Sequence, residues 1–268
     1  MNYKESKMLR FLYHTVPGRV LLKVVTSPII SKIGGAYMNS QKSVRHIKKF
    51  IKKNNINMDE YHLEEWESFD QFFTRRIRSK YRPVDKDENA FVSPCDGRLS
   101  VYDINDDTTF EIKGSHYTTG QLLMDEKRAR DFAGGKALIF RLCVDDYHRY
   151  GYPADGRILY LLNIKGKLHT VRPIALEKYP VFVQNARDVT LIQTKNFDTI
   201  AQVEVGALMI GKIENHKAGG PVDKGTEKGM FHYGGSTIVI LTKKGVLDIP
   251  AHDEEVKVKY GQRVALLR

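Results

Sequence analysis

The chain has 268 residues, 41% of them hydrophobic, enough for one sizeable domain with an appendage. Its formal net charge of +11 implies an anionic partner, and nine of those charges fall in residues 1–60, where twelve Lys and Arg face only Glu5, Asp59 and Glu60. Two cysteines, Cys95 and Cys143, without paired spacing argue against a disulfide scaffold or zinc site and for a reducing cytoplasmic setting.

Residues 3–16 and 19–27 read as short helices, separated by Pro17 and stopped by Pro28. Residues 41–53 place Val44, Ile47 and Ile51 at helical spacing among Arg45, Lys48, Lys49, Lys52 and Lys53. Three consecutive basic amphipathic segments can lie on an anionic lipid surface, at about 1 kcal/mol per well-placed cation. The alternative is a set of solvated helix faces packed on the protein's own core. Stretch 20–38 is the longest apolar run, and Lys23, Pro28, Lys32 and Gly34-Gly35 break it well short of the ~18 residues a span requires. The N-terminus shows no signal-peptide apolar core of adequate length.

Ser68 and Gln71 have capping-box spacing, opening a helix with Phe69, Phe72, Phe73 and Ile77 that ends before Pro83. Arg75, Arg76 and Arg78 read as surface charges. From about residue 90 the pattern becomes short apolar runs punctuated by glycine. Strand character falls at 98–104, 108–113, 137–144, 157–163, 167–172, 189–194, 199–205, 207–214, 237–242, 246–249 and 256–258, with one helix at 118–132. The expected fold is α+β: a helical, basic N-terminal region (1–85), then a β-rich, sandwich- or barrel-like catalytic domain (86–268).

Three polar sites lie near strand ends. Pro94-Cys95-Asp96-Gly97 is a turn entering a strand, Asp145-Asp146-Tyr147-His148 follows an apolar strand, and Gly234-Gly235-Ser236 precedes the β-branched run Thr237-Ile238-Val239-Ile240. Each alone also fits a plain turn or a structural histidine. Together, Asp96, His148 and Ser236 could converge as orienter, base and nucleophile.

In the company of these motifs, the chain resembles the bacterial, pyruvoyl-dependent phosphatidylserine decarboxylase proenzymes. The likeness rests on Ser68-Phe69, Phe72-Phe73-Thr74-Arg75, Arg82-Pro83, Ser93 to Gly97, Asp146 to Arg149, His169 to Pro173, Val205-Gly206-Ala207, Lys224-Gly225, Glu227-Lys228-Gly229 and Phe231 to Thr237. It implies self-cleavage between Gly235 and Ser236, giving a β chain 1–235 and an α chain 236–268 held as a heterodimer. Ser236 would become the pyruvoyl cofactor, whose imine with phosphatidylserine acts as electron sink for loss of CO₂. His148 would return the proton, at the cytoplasmic face of the cell membrane. No nucleic-acid partner or metal is expected, and higher oligomers stay open. One departure is Gly151, where many family members carry a second histidine. It leaves the base to His148 alone or to a substitute, with His169 in reserve. Competing readings are a pyruvoyl decarboxylase of a soluble amino acid, a non-catalytic β-sandwich binding module, and a Cys–His hydrolase.

Overall fold

The computed structural model describes residues 7–112, 115–171, 173–177, 179–207, 212–234 and 236–268. Helices come first and antiparallel sheets follow, as an α+β chain requires. Helices α1 (Lys7–His14), α2 (Val16–Val25) and α3 (Pro28–Met38) lead through a 3-10 turn to α4 (Ile47–Asn54) and the short α5 (Phe69–Phe73). Pro17 and Pro28 open helices here. Each sits in a first turn, where its missing N–H costs nothing, behind a capping hydroxyl. Thr15 Oγ1 accepts the Gly18 N–H at 3.0 Å, and Ser27 Oγ accepts the Ile30 N–H at 3.5 Å. An expected stop at Pro28 therefore conceals α3.

Ser68 caps α5 through the Gln71 N–H at 3.2 Å, and Gln71 Oε1 reaches back to the Glu67 N–H at 2.8 Å. The helix is shorter than expected, since Thr74 Oγ1 donates to the Asp70 carbonyl at 2.9 Å and closes it after Phe73. Arg75 corrects the surface reading: it is buried, with its guanidinium 4.1 Å from the Tyr61 ring centre and 4.8 Å from that of Phe72.

The largest sheet runs β11 (Gly220–Val222), β7 (Gly156–Ile164), β8 (Arg187–Thr194), β9 (Thr199–Gly206), β13 (Ser236–Thr242), β5 (Lys136–Leu142), β2 (Gly97–Asp103), β15 (His252–Val258). A second sheet joins β10 (Ile213–Asn215), β12 (Glu227–Phe231) and β6 (Arg149–Gly151). A third joins β1 (Ala90–Val92), β16 (Arg263–Leu267) and β14 (Leu247–Asp248), and β3 (Thr109–Ile112) pairs with β4 (Ser115–Thr118). Residues 118–132 form α6 (Thr119–Leu123), α7 (Glu126–Ala129) and a 3-10 turn instead of one helix. Met124 turns left-handed at φ 56°, and Asp125 caps anew on the Arg128 N–H at 3.0 Å. Stretch 167–172 is not a strand. Among its described residues a single bridge, Lys167 to Asn185, precedes α8 (Pro173–Leu176) and α9 (Val181–Gln184).

Strand β13 has a core on each side. Val239 and Leu241 belong to the cluster that includes Leu9, Leu12, Tyr13 and Leu22 of the first two helices, while Ile238 and Ile240 belong to a second cluster with Phe140, Leu142, Tyr150 and Phe231. Two-sided burial explains why 237–241 is an unbroken apolar run without alternation. A third cluster of Ile47, Phe69, Phe72 and Phe73, with Tyr233 against it, ties the helical region to the segment entering β13.

Candidate active site

Ser236 is the first residue of β13, pairing with Leu142 on β5 and Gly206 on β9. It is fully buried, and its Oγ has no hydrogen-bond partner among the described residues. Such an orphaned hydroxyl carries a desolvation cost, which Ser236 shares with Thr190, Thr237 and Thr242; what sets Ser236 apart is its place at the start of the strand, directly after two glycines. Gly234, two residues earlier, adopts φ 154°, which L side chains rarely reach. Gly235 lies outside the described residues.

His148 sits where the chain leaves β5 by a tight turn, closed by the Cys143 N–H on Asp146 Oδ2 at 2.7 Å. Its Nδ1 lies 2.9 Å from the Asp146 carbonyl, which only accepts, so Nδ1 holds the proton and Nε2 keeps the lone pair. Nε2 has no partner among the described residues, and the ring lies 4.1 Å from that of Phe73. Burial, then the nearby Arg75 charge, push the imidazole down to about 3. At neutral pH it is uncharged, the state a general base requires.

His169 is the second buried imidazole with a bare Nε2. It stacks on Tyr179 at 4.8 Å, its Nδ1 lies 3.3 Å from the Tyr13 hydroxyl, and burial lowers it to about 4. Asn185 links this loop to the serine. It accepts the His169 N–H at 2.9 Å and donates to the carbonyls of His169 at 2.8 Å and Gly206, the register partner of Ser236, at 2.7 Å.

Asp96 does not orient His148. Its carboxylate takes a two-pronged ion pair from Arg82, at 2.7 and 2.5 Å, and the Tyr260 N–H at 2.9 Å. No hydrogen bond among the described residues joins Asp96, His148 and Ser236. The glycine at 151 has a steric cause. A side chain there would collide with the Tyr260 hydroxyl and come within 2.7 Å of the Thr226 carbonyl. That hydroxyl donates to the Gly225 carbonyl at 3.0 Å, so Tyr260 fills the room a second histidine would take. Cys95 is wholly buried, and burial lifts its thiol well above the usual range, leaving it inert as a nucleophile.

Two features escaped the sequence reading. Asp70 of α5 holds the lead-in residues His232 and Tyr233. On β9, Glu204, opposite Ile238, pairs with Lys228 at 2.8 Å with both side chains fully buried, and Asn215 accepts from the same ammonium at 2.6 Å. Burial raises the Glu204 carboxyl and lowers the Lys228 ammonium. Sequence offered a signal for Glu204 alone, a charge inside the apolar run Val203-Glu204-Val205, since Lys228 follows the polar Thr226-Glu227.

A buried, unpartnered serine opens a strand behind glycine, and the same region of the fold holds two buried imidazoles with bare Nε2 atoms, His169 being tied through Asn185 to the register partner of that serine. The family model described as phosphatidylserine decarboxylase matches residues 69–266. Phosphatidylserine decarboxylase proenzyme 2 of Clostridium acetobutylicum is 44% identical over 98% of this chain and 92% of its own length. The phosphatidylserine decarboxylase proenzymes of Ruminiclostridium cellulolyticum and Clostridium kluyveri are 39% and 37% identical. They cover 91% and 97% of this chain, and 83% and 93% of their own lengths. The chain belongs to the phosphatidylserine decarboxylase family, and it is a decarboxylase.

Proposed function

We propose that the chain is a proenzyme that cuts itself between Gly235 and Ser236 and converts phosphatidylserine to phosphatidylethanolamine at an anionic membrane surface. The supporting observation is Ser236 itself: fixed by both neighbouring strands, buried, and with no partner for Oγ. Ser236 Oγ attacks the Gly235 carbonyl, giving its proton to a base and turning the amide into an ester. Elimination then frees the carboxylate of the 1–235 chain. It leaves residue 236 as a dehydroalanine with a free amine, which tautomerises to an imine; one water adds to the imine carbon, ammonia leaves, and residue 236 itself becomes the pyruvoyl group at the new N-terminus. The site fits that group in one respect: the buried Ser236 Oγ makes no hydrogen bond among the described residues, so its loss on conversion to a pyruvoyl group breaks none of their hydrogen bonds.

The pyruvoyl group supplies a carbonyl for the substrate amine and an electron sink for loss of CO₂. His148, neutral with a bare Nε2, takes the serine proton and later carries a proton to the substrate Cα. His169, tied to Gly206 through Asn185, bounds the headgroup side. Asp96, held by Arg82, steadies the turn beneath Tyr260 and Gly151.

Substrate reaches the site from residues 1–85, which rest on the cytoplasmic face of the cell membrane. Val16, Val20, Leu21, Val24, Ile29 and Ile33 are exposed, whereas Leu9, Leu12, Tyr13 and Leu22 point into the core. No single helix among the described residues is long and apolar enough to cross a membrane. Segments Val16–Val25 and Ile29–Met38 meet at 61° and together have the length and apolar composition to enter a bilayer as a bent pair. A cavity of about 310 Å³ lined by Arg19, Lys23, Lys167, His169 and Tyr179 opens beside α2, joining cations to apolar walls as a phospholipid headgroup requires.

Intact mass tests the reading. The purified protein is expected as two chains, the smaller being residues 236–268 with a blocked N-terminus, and Ser236→Ala as one chain releasing no CO₂ from phosphatidylserine. A single full-length wild-type chain under active conditions overturns it.

A further inference from the structure

The residues entering β13 are held by α5. Asp70 Oδ2 lies 2.6 Å from His232 Nδ1, and Asp70 Oδ1 accepts the Tyr233 N–H at 2.9 Å. One buried carboxylate thus fixes a side chain and the next residue's backbone. The other imidazole nitrogen lies 3.1 Å from Glu214 Oε2, and Glu214 also meets Lys212 at 3.0 Å. Carboxylates only accept, so a ring bonded at both nitrogens is an imidazolium. Burial alone would lower His232, but Asp70 and then Glu214 hold it above its usual value. The Tyr233 ring stands edge-on to Phe69 at 4.9 Å and Phe73 at 5.1 Å.

Ser236 is fixed independently, by β5 and β9. Only Gly234 and Gly235 connect the two anchors, a tether of three Cα steps, at most about 11 Å. An intramolecular attack needs its atoms held near reacting distance, and a misplacement of about 1 Å can lower the rate ~100-fold. Fixing both ends of a short glycine tether is an economical way to meet that demand, because glycine by itself would leave the carbonyl free to wander.

We propose that Asp70 is a positioning residue for self-cleavage, clamping His232 and Tyr233 so that the Gly235–Ser236 bond is held against Ser236 Oγ. This rests on the self-cleavage reading above. It also gives the helical region a task in maturation that is separate from any contact with lipid.

Cell-free synthesis followed by time-resolved intact mass measures the conversion of one chain to two. Asp70→Asn keeps the shape and removes the charge, and it is expected to slow conversion about 10–100-fold at pH 7. Wild-type conversion should fall off on the alkaline side as His232, faced by Asp70, Glu214 and Lys212, loses its second proton. In Asp70→Asn that fall moves to lower pH, a shift that mere loss of packing would not produce. Conversion at the wild-type rate with an unchanged pH profile overturns the proposal. Should Asp70→Asn fail to fold, His232→Asn decides: slowed conversion in a chain with a wild-type unfolding midpoint supports the clamp, and wild-type conversion overturns it. Failure of the wild-type chain to split would instead remove the self-cleavage reading itself.

Discussion

The two halves of this molecule invert the usual rule of burial in opposite senses. Helices α1 to α3 leave Val16, Val20, Val24, Ile29 and Ile33 more than half exposed, while the β-rich part buries Asp96, His148, Arg187, Glu204 and Lys228. Exposed single apolar residues are ordinary, but a run of them on consecutive helices is not. Buried ionisable groups are costly unless partnered. Asp96 and Glu204 are, each by a cation, at 2.5 and 2.8 Å. His148 is only half partnered, at Nδ1. The difference is what the proposed division of labour requires: exposed apolar side chains on the helices for a lipid surface, and buried ionisable groups in the β-rich part for a reaction.

The largest effect is expected at the half-partnered group. His148→Ala should lower CO₂ release from phosphatidylserine by roughly 10²–10⁴-fold, the usual range for a lost general acid–base group. The measurement is turnover normalised to the fraction of processed chain. Unchanged turnover and processing would move the role to His169, whose Nε2 is also bare. Next comes the fully partnered pair. Lys228→Met leaves Glu204 buried without its cation and should cost roughly 3–5 kcal/mol of stability, read as a lower denaturation midpoint. Adding Glu204→Leu should recover most of the loss, because the penalty belongs to the orphaned charge. Additive losses would show that the pair contributes more than mutual satisfaction.

Acid should expose the same contrast more gently. His148 has a folded value of about 3 against an ordinary 6.5, so the unfolded chain binds its proton first. Stability is therefore undiminished above pH 6.5, falls as pH drops below it, and stops falling near pH 3. Between pH 6.5 and 4.5 the loss from this group is roughly 2–3 kcal/mol. Denaturant titrations across that window should give a shallower slope for His148→Gln than for the wild type. Equal slopes would mean that His148 is solvated.

Much of this contrast was legible in the sequence. The basic front, the glycine-punctuated strands and the junction at Ser236 all follow from local composition, because strand β13 is buried on both faces and advertises itself as an unbroken apolar run. Pro28 misled, since proline suits a first turn as well as an end. Asp96 misled for a different reason: an Asp-Gly pair says that a turn exists, not which cation 14 residues upstream will claim the carboxylate. Asp70 and His232 are 162 positions apart, and nothing in either neighbourhood signals the other. The pairing of Glu204 with Lys228 is equally a product of sheet stacking, which period and propensity do not encode.

The exposed side of the comparison should respond least in stability and most in location. Val16, Val20, Val24 and Ile33 are 54–67% exposed, so changing all four to Ser should alter folding stability by no more than about 0.5 kcal/mol each. On a membrane the same side chains would each contribute on the order of 1 kcal/mol of apolar burial, short of the 1.5–3 kcal/mol typical of full burial. Losing four such contributions lowers partitioning roughly 10³-fold, and the cations on the helices, screened by salt, cannot make up the difference. Co-sedimentation with vesicles containing phosphatidylserine should therefore be lost in the quadruple variant, while self-cleavage, which depends on Ser236 and its anchors, proceeds normally. Retained vesicle binding would place the membrane contact elsewhere. A collapse of stability would mean that these side chains are covered by the protein itself, and the contrast between the two halves would dissolve.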